Sequence, residues 1–226
     1  MDQLQLAILS RQINIAAEHI VREYYEMIIL QKFSDTNLTE KMIFYGGTAL
    51  RLAYNGMRFS EDLDFVWKKR VSLSELESIL IEICRTYPEL QMAEIYDKKY
   101  TLFGMIKFIH PSLKYPRHIK IEISKRKTKV KSEYRMLYSK CSAFSPLIQT
   151  ITLESLLELK MQAIKERQEP RDWIDLWQIA NMLRKPFVLP APFPFEVKEF
   201  GKGLKRFLPR NKWLVIDTII NKIQKS

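Results

Sequence analysis

The stretch Phe44-Tyr45-Gly46-Gly47-Thr48-Ala49-Leu50, followed after a short interval by Arg58-Phe59-Ser60-Glu61-Asp62-Leu63-Asp64-Phe65, constrains this chain more than any other part of it. It reads as a short strand, a glycine turn opening a helix, and a second strand carrying two carboxylates. Successive side chains of a strand point to opposite faces, so Asp62 and Asp64 share one face while Leu63 and Phe65 share the other. Two carboxylates side by side repel each other unless a cation sits between them, and a divalent metal such as Mg²⁺ or Mn²⁺ fits that role. Glycines at a helix N-terminus supply backbone N–H groups able to hold a phosphate. A metal beside a phosphate cradle points to nucleotide chemistry.

The rest of the composition narrows the setting. A chain of 226 residues, 46% apolar and 28% charged, suits a globular protein with one large core or two small ones. No apolar run approaches the ~20 residues needed to cross a bilayer. The start, Met1-Asp2-Gln3-Leu4, lacks the pattern of a signal peptide. The two cysteines, Cys84 and Cys141, lie in unrelated contexts, which predicts a reducing cytoplasm and no cysteine-based zinc site.

The net charge of +11 is concentrated. Residues 114–140 hold ten Lys/Arg against two Asp/Glu, whereas residues 1–113 hold 13 against 15. Lys125, Arg126, Lys127, Lys129 and Lys131 form the densest run; Lys198, Lys202, Lys205, Arg206, Arg210 and Lys212 form a second cluster. Such runs serve either as solvated faces or as tracks for a nucleic-acid backbone. The neighbouring carboxylates favour RNA.

Periodicity predicts a helix over residues 3–31, a strand at Met42–Tyr45, a helix over 47–55 and a strand at Leu63–Trp67. A helix capped at Ser74 and running to Pro88 follows, then strands near 91–96, 100–109 and 118–124. From Thr152 to about Leu183 the pattern is helical. Pro186, Pro190, Pro192 and Pro194 make the next segment an extended connector, and a last amphipathic helix spans 211–224. This order predicts an α/β (α+β) protein: a mixed-sheet catalytic domain with its N-terminal helix over residues 1–130, then a helical domain over 131–226.

Further residues join the carboxylate pair. His118–Ser124 alternates as a strand, so Glu122 either leans over the same metal or faces solvent beside Lys120. Lys160 falls inside the apolar stripe of Leu153, Leu156, Leu157, Met161 and Ile164. It therefore either needs an anionic partner, a triphosphate or an aspartate, or snorkels at the helix edge. Asp172 reads as a helix N-cap, and Asp175 as the better site-facing acid, paired with Lys160. His19, His110 and His118 show no ligand spacing, and neither a P-loop nor a Gly-x-Gly-x-x-Gly turn is present.

The run Phe-Tyr-Gly-Gly-Thr-Ala-Leu-Arg-Leu and then Arg-Phe-Ser-Glu-Asp-Leu-Asp-Phe resembles the AbiEii/AbiGii toxin family of nucleotidyltransferases. The segment holding Lys160, Arg167 and Pro-Arg-Asp172-Trp-Ile-Asp175-Leu is similar to that family's C-terminal signature. The resemblance spans about residues 40–180. It implies a nucleotidyltransferase fold, metal ligands at Asp62 and Asp64, functional Lys160 and Asp175, and a toxin that adds nucleotides to RNA, typically transfer RNA, with a separately encoded antitoxin. The third metal ligand, Glu122, is not fixed by any motif.

The expected activity is transfer of a nucleoside monophosphate from an NTP to an RNA hydroxyl, with release of pyrophosphate. Gly46, Gly47 and the Thr48 hydroxyl would grip phosphates, helped by Ser60; Lys160 would neutralise triphosphate charge, with Arg51 or Arg58 contributing. Residues 125–131 would track the RNA. Two alternatives stay open: AMP transfer to a protein hydroxyl, and a non-catalytic RNA-binding module on the same fold.

Overall fold

The computed structural model describes residues 1–126 and 128–224. In chain order it holds α1 (Gln3–Ile13), α2 (Ala17–Ser34), α3 (Leu38–Lys41), β1 (Met42–Tyr45), α4 (Gly46–Tyr54), β2 (Asp62–Trp67), α5 (Leu73–Thr86), β3 (Leu90–Asp97), β4 (Thr101–Phe108) and β5 (Arg117–Ser124). After these come β6 (Ser132–Met136), β7 (Leu147–Ile151), α6 (Leu153–Glu166), α7 (Pro170–Met182), α8 (Val197–Lys205) and α9 (Leu214–Ile223). The strands form one seven-stranded mixed sheet in the order β3-β4-β5-β2-β1-β7-β6.

The sheet is α/β in kind, as its sequence predicts, but its extent differs from the expectation. It does not stop near residue 130, because β7 pairs in parallel with β1 and β6 pairs antiparallel with β7. Helices alone follow only from Thr152. Thr152 caps α6 by accepting a hydrogen bond from the Ser155 backbone N–H. The single helix expected over 3–31 is two, separated where Asn14 adopts the left-handed conformation at φ 64° and closes α1 through its N–H to Ser10. Ser72, rather than Ser74, caps α5, accepting from the Glu75 N–H. The proline segment is extended as expected, and α8 follows it.

Alternation along the central strands sorts the two faces. Phe44, Leu63, Phe65, Ile119, Ile121 and Ile123 point into the main core, where α2 and α5 cover them with Ile28, Ile29, Leu30, Leu76 and Leu80. On the opposite face Ile43, Val66 and Ile151 pack against Leu50, Leu156 and Ile179 of α4, α6 and α7. A third core joins α7 to the C-terminal helices through Trp173, Ile174, Phe200, Leu204 and Ile219. The C-terminal helices are tied to the loop before β2: Phe59 N–H donates to the Phe207 carbonyl at 2.8 Å. Glu61 bridges Arg206 and the buried Arg22 of α2, each at 3.1 Å. The approach to β2 is thus held from two sides, by α2 and by the segment that follows α8.

Candidate active site

The register of the sheet assembles the carboxylates. β1 and β2 run antiparallel with Tyr45 opposite Asp64; β2 and β5 run parallel with Asp62 opposite Lys120 and Asp64 opposite Glu122. Asp62, Asp64 and Glu122 therefore stand on one face, at the floor of a cleft of about 490 Å³. Burial together with Asp62 and Glu122 pushes the Asp64 carboxyl up to about 7, against the pull of Lys160 and Arg167. The Tyr45 hydroxyl is pushed up by burial and by Asp64 and Glu122.

Gly46 opens α4 at φ +84°, a conformation that favours glycine. A Cβ there would lie 2.4 Å from Asp64 Oδ2, and one on Gly47 would lie 2.3 Å from an Arg58 guanidinium nitrogen and 2.8 Å from Ser60 Oγ. Both glycines are thus required by the close approach of Asp64, Arg58 and Ser60, and both line the cleft with Arg58 and Ser60.

The facing wall is cationic. Lys160 Nζ lies 2.7 Å from Asp172 Oδ1 and 2.6 Å from Asp175 Oδ2. Arg58 grips Asp175 with two hydrogen bonds of 2.7 Å, and Arg167 donates to Asp172 at 2.8 and 3.2 Å. Burial raises both aspartates, but their cations outweigh it: Arg58 and Lys160 hold the Asp175 carboxyl at about 2, and Lys160 and Arg167 hold Asp172 below its ordinary value. Three cations against two anions leave one positive charge in this cluster. Arg171, paired with Glu169 at 3.6 Å, also lines the cleft.

Of the residues expected at the site, the fold brings Gly46, Gly47, Arg58, Ser60, Asp62, Asp64, Glu122, Arg126 and Lys160 to this cleft. Others lie elsewhere. The Thr48 hydroxyl is buried and donates to the Asp62 carbonyl at 2.6 Å, so it pins α4 to β2 instead of reaching a phosphate. Arg51 pairs with Glu23 at 2.8 Å, donates to the Gly56 carbonyl and stacks on Phe59, facing a separate cavity. Asp175 sits beneath the lining as a buried anchor, and Asp172 takes the cleft-facing place expected of it; Glu169, not Asp172, is the N-cap of α7. Lys125 is engaged by Asp97 and the Lys98 carbonyl. Lys129 and Lys131 are exposed beyond the cleft, and Lys127 lies outside the described residues.

Sequence reasoning missed Arg171 and Tyr45 as lining residues and misjudged Asp172. The signal for Asp172 was its spacing: it lies three residues before Asp175, one helical turn away, so both acids face the same lysine.

Divalent metal fits part of this set. Among the described residues no group of three or more His, Cys, Asp or Glu side chains converges as a ready metal cage. Asp62 and Asp64 offer hard oxygen donors, and Mg²⁺ is commonly held by one or two carboxylates with substrate phosphates completing its shell. The donors suit an ion that arrives with a triphosphate, and Glu122 is a strand neighbour of that pair, not the third wall of a cage.

A strand–glycine turn–helix followed by a two-carboxylate strand, with a lysine- and arginine-bearing helical wall opposite, defines a nucleotidyltransferase-type fold. The family model for the nucleotidyl transferase AbiEii toxin of type IV toxin–antitoxin systems matches residues 28–199. The chain belongs to that family, whose members are nucleotidyltransferases. Among solved structures, MenT4, a nucleotidyltransferase toxin from Mycobacterium tuberculosis, is similar in fold with a TM-score of 0.59, 16% identity, and coverage of 96% of this chain and 88% of its own. JHP933 from Helicobacter pylori is similar with a TM-score of 0.58, 20% identity, and coverage of 93% and 95%. A comparison with curated proteins returns no match. No helix among the described residues is long and apolar enough to cross a membrane.

Proposed function

We propose that this protein is a divalent-metal-dependent nucleotidyltransferase that moves a nucleoside monophosphate from an NTP to an RNA hydroxyl, transfer RNA being the favoured acceptor, and is restrained by a separately encoded antitoxin. The observation that carries the reading is the in-register set Asp62, Asp64 and Glu122 facing Lys160 and Arg167 across one cleft. Asp62 and Asp64 would hold Mg²⁺ or Mn²⁺, which supplies charge neutralisation for the triphosphate and a more acidic attacking hydroxyl. The N–H groups opening α4 at Gly46 and Gly47 meet phosphate oxygens with the positive end of the helix. Arg167, more than half exposed, and Arg171 present charge to the β- and γ-phosphates, while Asp172 fixes the orientation of Lys160 and Arg167. Arg126 and the exposed basic residues after it extend the positive surface toward an RNA backbone.

The test is incubation of the purified protein with total RNA and each α-labelled NTP in turn, with Mg²⁺ or EDTA. Label should enter RNA only with metal, and Asp62→Ala or Asp64→Ala should lower the rate by about 10³-fold or more. Label entering protein instead, or transfer surviving both substitutions, would overturn the reading.

A further inference from the structure

The helices that flank the cleft cover only half of its side of the sheet. The core they build takes Ile43, Val66 and Ile151 from β1, β2 and β7 and, among the described residues, nothing from β3, β4 or β5. The register continues the catalytic face across those three strands: Glu122 stands opposite Phe103, Lys120 opposite Met105, and Phe103 opposite Tyr96. Its other face is the buried one, carrying Leu102, Ile106, Ile119 and Ile121. An uncovered sheet face is ordinarily polar, yet this one carries a stacked aromatic pair, in which Phe103 is buried and Tyr96 keeps part of its surface exposed. The rings of Tyr96 and Phe103 lie 4.7 Å apart at 14°, with Lys98 Nζ 4.5 Å from the Tyr96 ring centre.

Lysines slightly outnumber acids on this part of the face, Lys98, Lys107 and Lys120 standing against Glu94 and Glu122. Lys107 and Lys120 have no ion-pair partner among the described residues, and only Glu94 opposes them beyond Glu122. With strands about 4.8 Å apart, Phe103 stands roughly 10 Å from Asp64 and Tyr96 roughly 14 Å. A partly exposed aromatic ring flanked by lysines, on the face that continues from Asp64 and Glu122, offers what a single-stranded nucleic acid uses: a π-face for a base and fixed cations for phosphates.

We infer that the open face of β3–β5 is the acceptor platform, on which a single-stranded end of RNA lies with a base against Tyr96, itself backed by the buried Phe103, and its phosphates on Lys98, Lys107 and Lys120. Its terminal hydroxyl then enters the cleft past Glu122. This inference rests on the RNA reading above and adds where that RNA binds. It also moves the principal contact away from the 125–131 run, whose Lys125 is already engaged by Asp97.

The test measures binding without chemistry: fluorescence anisotropy of a labelled single-stranded RNA in EDTA, with no NTP, across a salt series. Tyr96→Ala combined with Lys107→Glu should weaken binding by about tenfold or more and flatten the salt dependence, since one ring and one phosphate contact are lost. Lys202→Glu on α8 should leave it unchanged, and thermal melts confirm that each variant folds. Ultraviolet crosslinks should fall on peptides of β3 and β4. Unchanged affinity in the double variant, crosslinks confined to α8 and α9, or no RNA binding by the unaltered protein would overturn the platform. Labelling of RNA by the double variant with an unaltered KM for RNA would also overturn it while leaving the chemistry standing. RNA bound on this face but never labelled would sink the chemistry and leave the platform.

Discussion

Replacing Asp175 tests whether the wall opposite the carboxylates is held by its buried ion cluster. Asp175 is 1% exposed, accepts two hydrogen bonds of 2.7 Å from Arg58 and pairs with Lys160 at 2.6 Å. In Asp175→Ala, Lys160 retains Asp172, but Arg58 keeps only its bond to the Phe59 carbonyl and becomes a buried, unpaired cation. Breaking a buried pair in this way costs about 3–5 kcal/mol. For a chain of this size each kcal/mol moves Tm by roughly 2–4 °C, so the midpoint should fall by about 6–20 °C. Removing the stranded cation as well, in Arg58→Met with Asp175→Leu, should recover most of that loss, because an apolar pair carries no desolvation penalty. Titration gives an independent check. The unfolded carboxyl binds its proton near 3.8 while the folded one stays charged down to about 2, so the unfolded state takes up the proton first as pH falls. The contribution is therefore full above about pH 4 and lost toward pH 2, with a ceiling of about 2 kcal/mol from the ~1.36 kcal/mol per unit. Urea melts of the three proteins, repeated from pH 7 to about pH 2, measure both effects. A single variant that loses less than about 1 kcal/mol, or a double variant no better than the single, would refute this account of the wall.

Asp64 predicts the opposite pH dependence. Its folded acid titrates at about 7 against 3.8 unfolded, so the folded state holds its proton longer and metal-free stability declines as pH rises from about 4 to about 7. The ceiling is about 4 kcal/mol, reduced by the water that reaches Asp64 from the open cleft; thermal melts of Asp64→Asn in EDTA should be flatter across that window and higher at pH 8, and a slope identical to that of the unaltered protein would contradict this. Gly46→Ala should abolish nucleotide transfer, because its Cβ would stand 2.4 Å from Asp64 Oδ2 at φ +84°; folded protein with normal kcat in a labelled-NTP assay would show that the turn tolerates a side chain. Thr48→Val should cost about 1 kcal/mol of stability through loss of the bond to the Asp62 carbonyl, with the KM for NTP unchanged. A selective rise in that KM would return Thr48 to the phosphate site.

The parts of the fold legible in the sequence were those with local signatures. The β1–turn–α4–β2 unit followed from Gly46-Gly47 and the alternation of Asp62 to Phe65, and the strand pattern of His118–Ser124 placed Glu122 on the correct face. β6 and β7 were not legible. Ser132–Met136 is a polar edge strand, and Leu147–Ile151 is a short apolar run abutting a helix cap, so neither has a period that marks it; both exist because β7 adds alongside β1, about a hundred residues away in sequence. The same limit governed side-chain roles. Lys160 was recognisable as a buried cation needing an anion, but nothing local revealed that Arg58, more than a hundred residues upstream, would occupy Asp175, or that Glu23 of α2 would draw Arg51 away from the cleft.

The central claim is best tested by calorimetric titration of a non-hydrolysable NTP analogue into the unaltered protein and into Asp62→Asn/Asp64→Asn, each with Mn²⁺ and with EDTA. The unaltered protein should bind the analogue tightly only with Mn²⁺, and the double variant should show no metal-dependent gain. Equal affinity in EDTA, or an undiminished metal effect in the double variant, would contradict a site built on those two carboxylates.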